Sequence, residues 1–293
     1  MKEHFENNAE IEKLYREVMK YDREGDVYNA VKLCKRIAKL APDWSAPYAY
    51  LGRLYKSRKE WKPVYHYSLR AVKNNPFNDE TWSNLALAAT VLEEWEIARQ
   101  AWNQLGYKFR KADRELRLEM GRLAVCLNPD SNPEIVEASR IDPVRVIIES
   151  IPQPSSGRRY KDTLLIDLNP AGNHYIGRHA VPYFNELEHL KRSPWKTFAT
   201  YLHTGSIDDV AVLAALCEDN RLGFDNWSHA LRYLQPRLHP KVTEYFDLTN
   251  VGKHKRDLYL VAIAATEKQK VEPVLKEWEI ITLKKFSQLE ELG

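Results

Sequence analysis

Two patterns of apolar spacing divide the chain. From Ile11 to about Ala112 the large apolar residues recur at i, i+3, i+4 and i+7, the stripe of amphipathic helices. Beyond about residue 128 that period gives way to β-branched runs and short alternating stretches, the pattern of strands. The helical pattern itself also repeats. Set in rows of 34 residues starting at Ile11, Ser45 and Asp79, positions fall into columns: Leu14, Tyr48 and Trp82; Val18, Gly52 and Ala86; Tyr21, Tyr55 and Ala89. Further columns hold Val27, Trp61 and Trp95, then Ala30, Val64 and Ala98, and finally Pro42 and Pro76. A fixed period of this length predicts helical hairpins stacked on copies of themselves.

Each row reads as one hairpin. Tyr48, Leu51, Gly52 and Tyr55 share a helix face, and Trp82, Leu85, Ala86 and Ala89 repeat it one row later. The small residue of the Gly52/Ala86 column lets a second helix approach closely. That partner helix offers Trp61, Val64, Ser68 and Ala71, then Trp95, Ala98, Trp102 and Leu105. Pro42 and Pro76 close hairpins, because proline cannot continue a helix. Asn78, Asp79 and Glu80, and Asp43 or Ser45, supply N-terminal caps and suit the helix dipole. After Arg110 the run RELRLEMGRLAVCL aligns Leu116, Met120 and Ala124, which predicts a helix capping the last hairpin. The expected organisation is therefore a helical unit over residues 1–127, with rows 11–44, 45–78 and 79–112, a short lead-in before residue 11, and a second domain over 128–293.

These columns resemble those of tetratricopeptide repeats, which ask in order for a large residue, Leu, Gly or Ala, Tyr, Ala, Phe, Ala and Pro. The second row supplies Tyr48, Leu51, Gly52, Tyr55, Ala71 and Pro76, but has Val64 and Ser68 at two family columns. The third supplies Trp82, Leu85, Ala86, Ala98 and Trp102, with Arg110 in place of the proline; the first has Glu17 where leucine is usual. The resemblance covers about a third of the chain. It implies an α-helical solenoid with a concave groove lined by the first helix of each hairpin, here Tyr15, Met19, Ala49, Arg53, Lys56, Ser83, Leu87 and Thr90. Members of the family that hold a chaperone's C-terminal carboxylate use Lys and Asn at matching places. Tyr15, Met19, Ala49, Arg53, Ser83 and Leu87 stand there instead, which disfavours that partner. A mixed apolar groove with one or two cations suits a peptide or an amphipathic helix. It is equally open to being filled by the chain's own C-terminal half.

The second part follows another grammar. NPDSNPE reads as a linker, 144–151 as a strand, and 163–168 as a half-buried strand. Asn169-Pro170-Ala171-Gly172 fits a turn that returns the chain through 174–181 as a hairpin. Further strands are expected at 197–205 and 258–266. Helices are expected after the Ser206 cap, around Trp227 to Leu234, and through Val271, Val274, Leu275 and Trp278. Residues 280–292 are ambiguous between strand and helix. The sum is an α+β domain, one mixed or antiparallel sheet with helices on one side.

Charge and composition add exclusions. With 44 basic and 41 acidic residues the formal net charge is +3, too balanced to imply a nucleic-acid or membrane partner. No run approaches the 18 apolar residues of a membrane span, and the polar start lacks a signal-peptide core. Cys34, Cys126 and Cys217 are widely spaced, which argues against a disulfide framework or zinc site and for a reducing, cytoplasmic setting. No metal or cofactor motif is present.

Candidate chemistry is confined to a few places. Ser155-Ser156-Gly157-Arg158-Arg159, with His174, Arg178 and His179, forms a possible anion site; an ordinary exposed basic loop explains the same letters better. Asp208 and Asp209 read as helix-cap residues, and His203 and His229 as solvated side chains. Lys253 to Arg256 is a short basic run without interleaved aromatics. The expected function is an interaction or scaffold protein whose groove holds a protein or peptide segment. The alternative is an enzyme or anionic-ligand sensor acting through the C-terminal domain.

Overall fold

The computed structural model describes residues 2–176, 179–228 and 257–292, and the chain divides into two compact units, Met1–Leu116 and Arg117–Gly293. The first unit opens with six consecutive helices: α1 (Lys2–Arg23), α2 (Val27–Leu40), α3 (Ser45–Ser57), α4 (Trp61–Asn74), α5 (Asp79–Val91) and α6 (Trp95–Gln104). Each packs on the next in sequence. Helix α1 reaches back to Lys2, so the expected lead-in is part of the helix. The boundaries follow the sequence. Asp26 accepts from the Asn29 N–H and Asn78 from the Thr81 N–H, capping α2 and α5.

The apolar columns form the core of this unit. Val18, Ala30, Cys34, Leu51, Val64, Leu85, Ala86, Ala98 and Trp102 are all fully buried. At Gly52 a Cβ would stand 2.8 Å from Ser68 Oγ, so the missing side chain is what lets α3 and α4 close on each other. Ser68 is itself buried, and its hydroxyl has no hydrogen-bond partner. Close approach of backbones is won there at the expense of a polar group.

The expected capping helix is absent. Residues 107–116 run as irregular backbone, and Arg99 of α6 holds them, donating to the carbonyls of Ala112 (3.0 Å), Arg114 (2.6 Å) and Glu115 (3.3 Å). The rest of the run becomes β1 (Arg122–Leu127), whose alternate residues Val125 and Leu127 enter a sheet core. The units accordingly meet at Leu116 and Arg117 instead of near residue 127.

Two sheets, not one, build the second unit. The first contains β1, β2 (Glu134–Arg140), β3 (Arg145–Ile148), β4 (Thr163–Ile166), β5 (Gly172–Ile176) and β6 (His179–Lys191). Antiparallel neighbours run β1-β2-β3-β4-β6, and parallel pairing of Ala124, Val125 and Cys126 with Tyr183, Phe184 and Asn185 closes the ring into a five-stranded barrel. Val125, Leu127, Val136, Ala138, Val146, Ile148, Leu164 and Ile166 fill it. NPDSNPE is thus a turn leading directly into β2.

The expected hairpin is differently paired. Strand β4 binds β6 at residues 186–191 and β5 binds it at 179–183. The Asp167 and Ala171 N–H groups continue the ladder to Asn185 and Tyr183. Residues 163–176 therefore form one interrupted strand along β6. Asn169 and Pro170 bulge from it instead of reversing the chain, as an insertion into an antiparallel ladder does.

The second sheet is antiparallel, in the order β10-β7-β9-β8, from β7 (Lys196–His203), β8 (Gly223–Asn226), β9 (Tyr259–Ala265) and β10 (Lys285–Leu292). Helix α7 (Ile207–Asp219) joins β7 to β8, and α8 (Val271–Thr282) joins β9 to β10. Two such split β-α-β units give the ferredoxin-like arrangement. Helix α7 presents Val210, Leu213 and Cys217, and α8 presents Val271, Val274, Leu275 and Trp278, to one face. Ser206 caps α7 as its sequence implies, accepting from the Asp208 N–H at 3.1 Å. The other face carries Ala199, Ala262, Ala264 and Trp227, covered by Ile151 and Tyr160 from beyond β3. Trp227 donates to the Ile151 carbonyl at 3.1 Å, which ties sheet to barrel. Residues 280–282 complete α8 and the last strand follows. The helix expected over 227–234 falls almost wholly outside the described residues, as do His229 and Lys253 to Arg256.

Candidate functional site

In the helical unit, the groove positions occupy equivalent places on α1, α3 and α5. Tyr15, Met19 and Asp22 lie at i, i+4 and i+7, one stripe of α1. Tyr15 and Met19 are half-buried, and the Tyr15 ring meets Trp44 edge-on with centroids 4.9 Å apart. Across from them, Tyr50 of α3 donates to Asp22 Oδ1 at 2.9 Å, and Arg53 approaches Asp22 Oδ2 at 3.7 Å. The Arg53 guanidinium also lies 5.6 Å from the Tyr50 ring centroid. Its side chain remains 54% exposed, so a loose ion pair of this kind contributes under about 1 kcal/mol and leaves the cation free to engage a ligand. Burial raises the Tyr50 phenol well above its ordinary pKa, with the Asp22 hydrogen bond adding to it, so Tyr50 stays a neutral donor. Ala49 and Lys56 are half-buried on the same helix.

The third hairpin departs from this. Ser83 is half-buried, but Leu87 and Thr90, the equivalents of Met19/Arg53 and Asp22/Lys56, are buried, and the Thr90 hydroxyl donates to the Ala86 carbonyl at 2.8 Å. Leu87 is therefore a core residue and presents no surface to a partner. Helix α5 is buried on nearly all sides, consistent with its high apolar content.

The possible anion site resolves into a structural network. Arg158 Nε donates to Glu186 Oε1 at 2.6 Å, and Glu186 is 4% exposed. The other Glu186 oxygen accepts from the Asn128 N–H, while the Asn128 amide donates to the Ser156 carbonyl. Arg158 is thus neutralised by a buried carboxylate from β6. Arg159 lies beside fully buried Asp162, which accepts its backbone N–H at 2.9 Å and that of Ser193 at 2.7 Å. The histidine brought here is His189, with Nε2 3.0 Å from Asp162 Oδ2. His179 is seven residues from Glu186 along β6, roughly 23 Å at the rise of a strand, and His174 pairs with Val181 on the adjoining strand. The structure pairs Arg158 with Glu186, leaves the buried Arg159 Nε without a hydrogen-bond partner, and keeps His174 and His179 on a separate hairpin. Arg178 lies outside the described residues.

Other sequence candidates have structural partners. His203 Nε2 sits 2.6 Å from Ser287 Oγ, and Asp209 accepts from the Thr204 hydroxyl. The three cysteines are free and buried, and burial pushes each thiol up to about 12. None of them is a thiolate nucleophile at neutral pH. Among the described residues no group of His, Cys, Asp and Glu side chains could hold a metal ion, and no helix is long and apolar enough to cross a membrane.

No family model matches the chain, and no curated protein matches it. Among solved structures it is similar to a hypothetical protein from Neisseria gonorrhoeae, at 15% identity and a TM-score of 0.25, over 60% of this chain and 96% of that one. A likeness at that level carries no argument about function.

Proposed function

We propose that the protein is an interaction or scaffold protein whose helical unit is a tetratricopeptide-type array, and that it holds a partner peptide or amphipathic helix across α1 and α3. The observation that carries this reading is the Tyr15/Met19/Asp22 stripe facing Tyr50 and Arg53, an aromatic and thioether surface with an accessible cation. Such surfaces suit amphipathic segments, since methionine adapts its shape and arginine finds carboxylates. The site is confined to the first two hairpins because Leu87 and Thr90 close the third. The 34-residue columns, the Gly52–Ser68 close approach and the successive helix packing support the repeat assignment. The second unit serves as a docking or effector domain. Free, buried cysteines fit a reducing, cytoplasmic setting.

The test is a peptide-display selection against the full chain, followed by titration of the selected peptide. Arg53→Glu and Met19→Asp should each weaken binding at least tenfold without changing the circular dichroism spectrum. Selection of no peptide, or affinities unchanged in both variants, would sink the proposal. For the alternative sensor reading, Glu186 already neutralises Arg158, which leaves Arg159 as its remaining cation.

A further inference from the structure

A different part of the second unit has the makings of a small-molecule site. A cavity of about 480 Å³ lies where the Tyr160–Lys161 loop meets the corner between α7 and β8, within the size range of small-ligand pockets. Tyr160 and Trp195 form its aromatic wall, their rings edge-to-face with centroids 5.2 Å apart, and Phe224 adds a third ring. The wall is seated closely. A Cβ on Gly223 would stand 3.0 Å from both the Tyr160 ring and Ala264, so any larger residue would have to push that ring away from β8.

Four charges stand on the rim: Glu149, Lys161, Glu218 and Arg221. Lys161 pairs with Glu149 and holds its ammonium 4.8 Å from the Tyr160 centroid, so these two neutralise each other. Arg221 has no side-chain partner among the described residues. It also follows the end of α7 with φ 57°, in the left-handed region where a helix terminus favours glycine, and Lys161 across the rim has φ 65°. The same left-handed ending follows other helices of the chain, at Lys59, Glu93 and Leu283, so here it fixes where the Arg221 side chain leaves the backbone. The Glu218 side chain, one turn earlier, also has no partner among the described residues; its charge disfavours a ligand with more than one negative charge and offers an acceptor for an N–H.

We infer that this cavity binds a small planar aromatic compound carrying one anionic group, its ring against Tyr160 and Trp195 and its anion on the Arg221 guanidinium. The ring–ring contacts favour a flat π-system, and the guanidinium offers two parallel donors to a carboxylate or phosphate. The site is independent of the helical face, so either assignment can fail alone.

Isothermal titration of the full chain with benzoate, quinoline-2-carboxylate and indole-3-acetate tests the inference, with tryptophol and tryptamine as neutral and cationic counterparts of the last. At least one carboxylate should bind at sub-millimolar concentration. Indole-3-acetate should bind about tenfold tighter than tryptophol, and Arg221→Ala should remove that tenfold difference. Ala214→Phe, which fills the cavity from α7, should abolish binding while the melting temperature stays within a few degrees. Failure of all three carboxylates to bind, preference for tryptamine, or unchanged affinity in both variants would overturn it.

Discussion

Gly52 and Ser68 provide a quantitative test of how the helical unit is packed. Gly52 lies inside α3, where glycine costs about 1 kcal/mol relative to alanine. Adding a methyl recovers that amount but places it 2.8 Å from Ser68 Oγ, and the next atoms are at 3.6 and 3.9 Å. The hydroxyl must then rotate in a packed interior or the helices must part, an overpacking penalty of about 1–3 kcal/mol. Gly52→Ala alone should therefore be neutral or destabilising by up to about 2 kcal/mol. Ser68→Ala removes a buried hydroxyl that has no partner, a group costing about 1–3 kcal/mol to bury, and should stabilise. With Oγ gone, the new methyl at position 52 meets only atoms at ordinary contact distance. The double variant should exceed wild type by about 2–4 kcal/mol, with a favourable coupling of about 1–3 kcal/mol. Hydrogen exchange at the α3 and α4 amides, read beside urea unfolding, measures this locally, since a two-unit chain need not unfold in one step. Additivity within about 0.3 kcal/mol would refute the close approach of these helices.

Other consequences are equally specific. Arg99→Met strips the carbonyls of Ala112, Arg114 and Glu115 of a buried cationic donor; it should cost about 2–4 kcal/mol and speed exchange across 112–116. Glu186→Leu leaves Arg158 unpaired and should destabilise the second unit by about 3–5 kcal/mol, while Arg158→Met with Glu186→Leu should recover most of the loss in urea titrations. Thiols pushed up to about 12 should resist a disulfide reagent at pH 8 in the native chain and react at once in urea. Because burial raises those pKa values, the unfolded chain loses the thiol protons first. Their contribution to stability is intact below the ordinary thiol range near 9 and declines from there towards about 12, so urea midpoints should fall above pH 9.

What could be read from the sequence was mostly local. The six helices, the Ser206 cap, β7, β9 and α8 each follow from apolar spacing and capping residues within one segment. The capping-helix expectation failed because Leu116, Met120 and Ala124 keep helical spacing while Val125 and Leu127 also alternate; pairing of β1 with β2 decides between them. Strand β6 was hidden by Pro182, Glu186 and Glu188, which depress strand propensity although ring closure demands a long strand. The Arg158–Glu186 pair joins residues 28 apart in sequence, across barrel pairing that no local pattern encodes. His189 stands ten residues beyond His179, the nearest hairpin candidate, with no motif to mark it. Leu87 matched the groove column yet is core, because α5 is apolar on nearly every side. The rim arginine of the cavity left one trace: Arg221 follows a helix end where glycine is favoured.

Site-specific photocrosslinking tests the central claim most directly. A benzophenone side chain at Met19, compared with one at Lys32 on α2, would be activated in cells and its adducts identified by mass spectrometry. The account predicts a discrete partner peptide captured from position 19, absent from position 32 and lost when Arg53→Glu is combined with it. The same adducts from both positions, or adducts indifferent to Arg53, would contradict it.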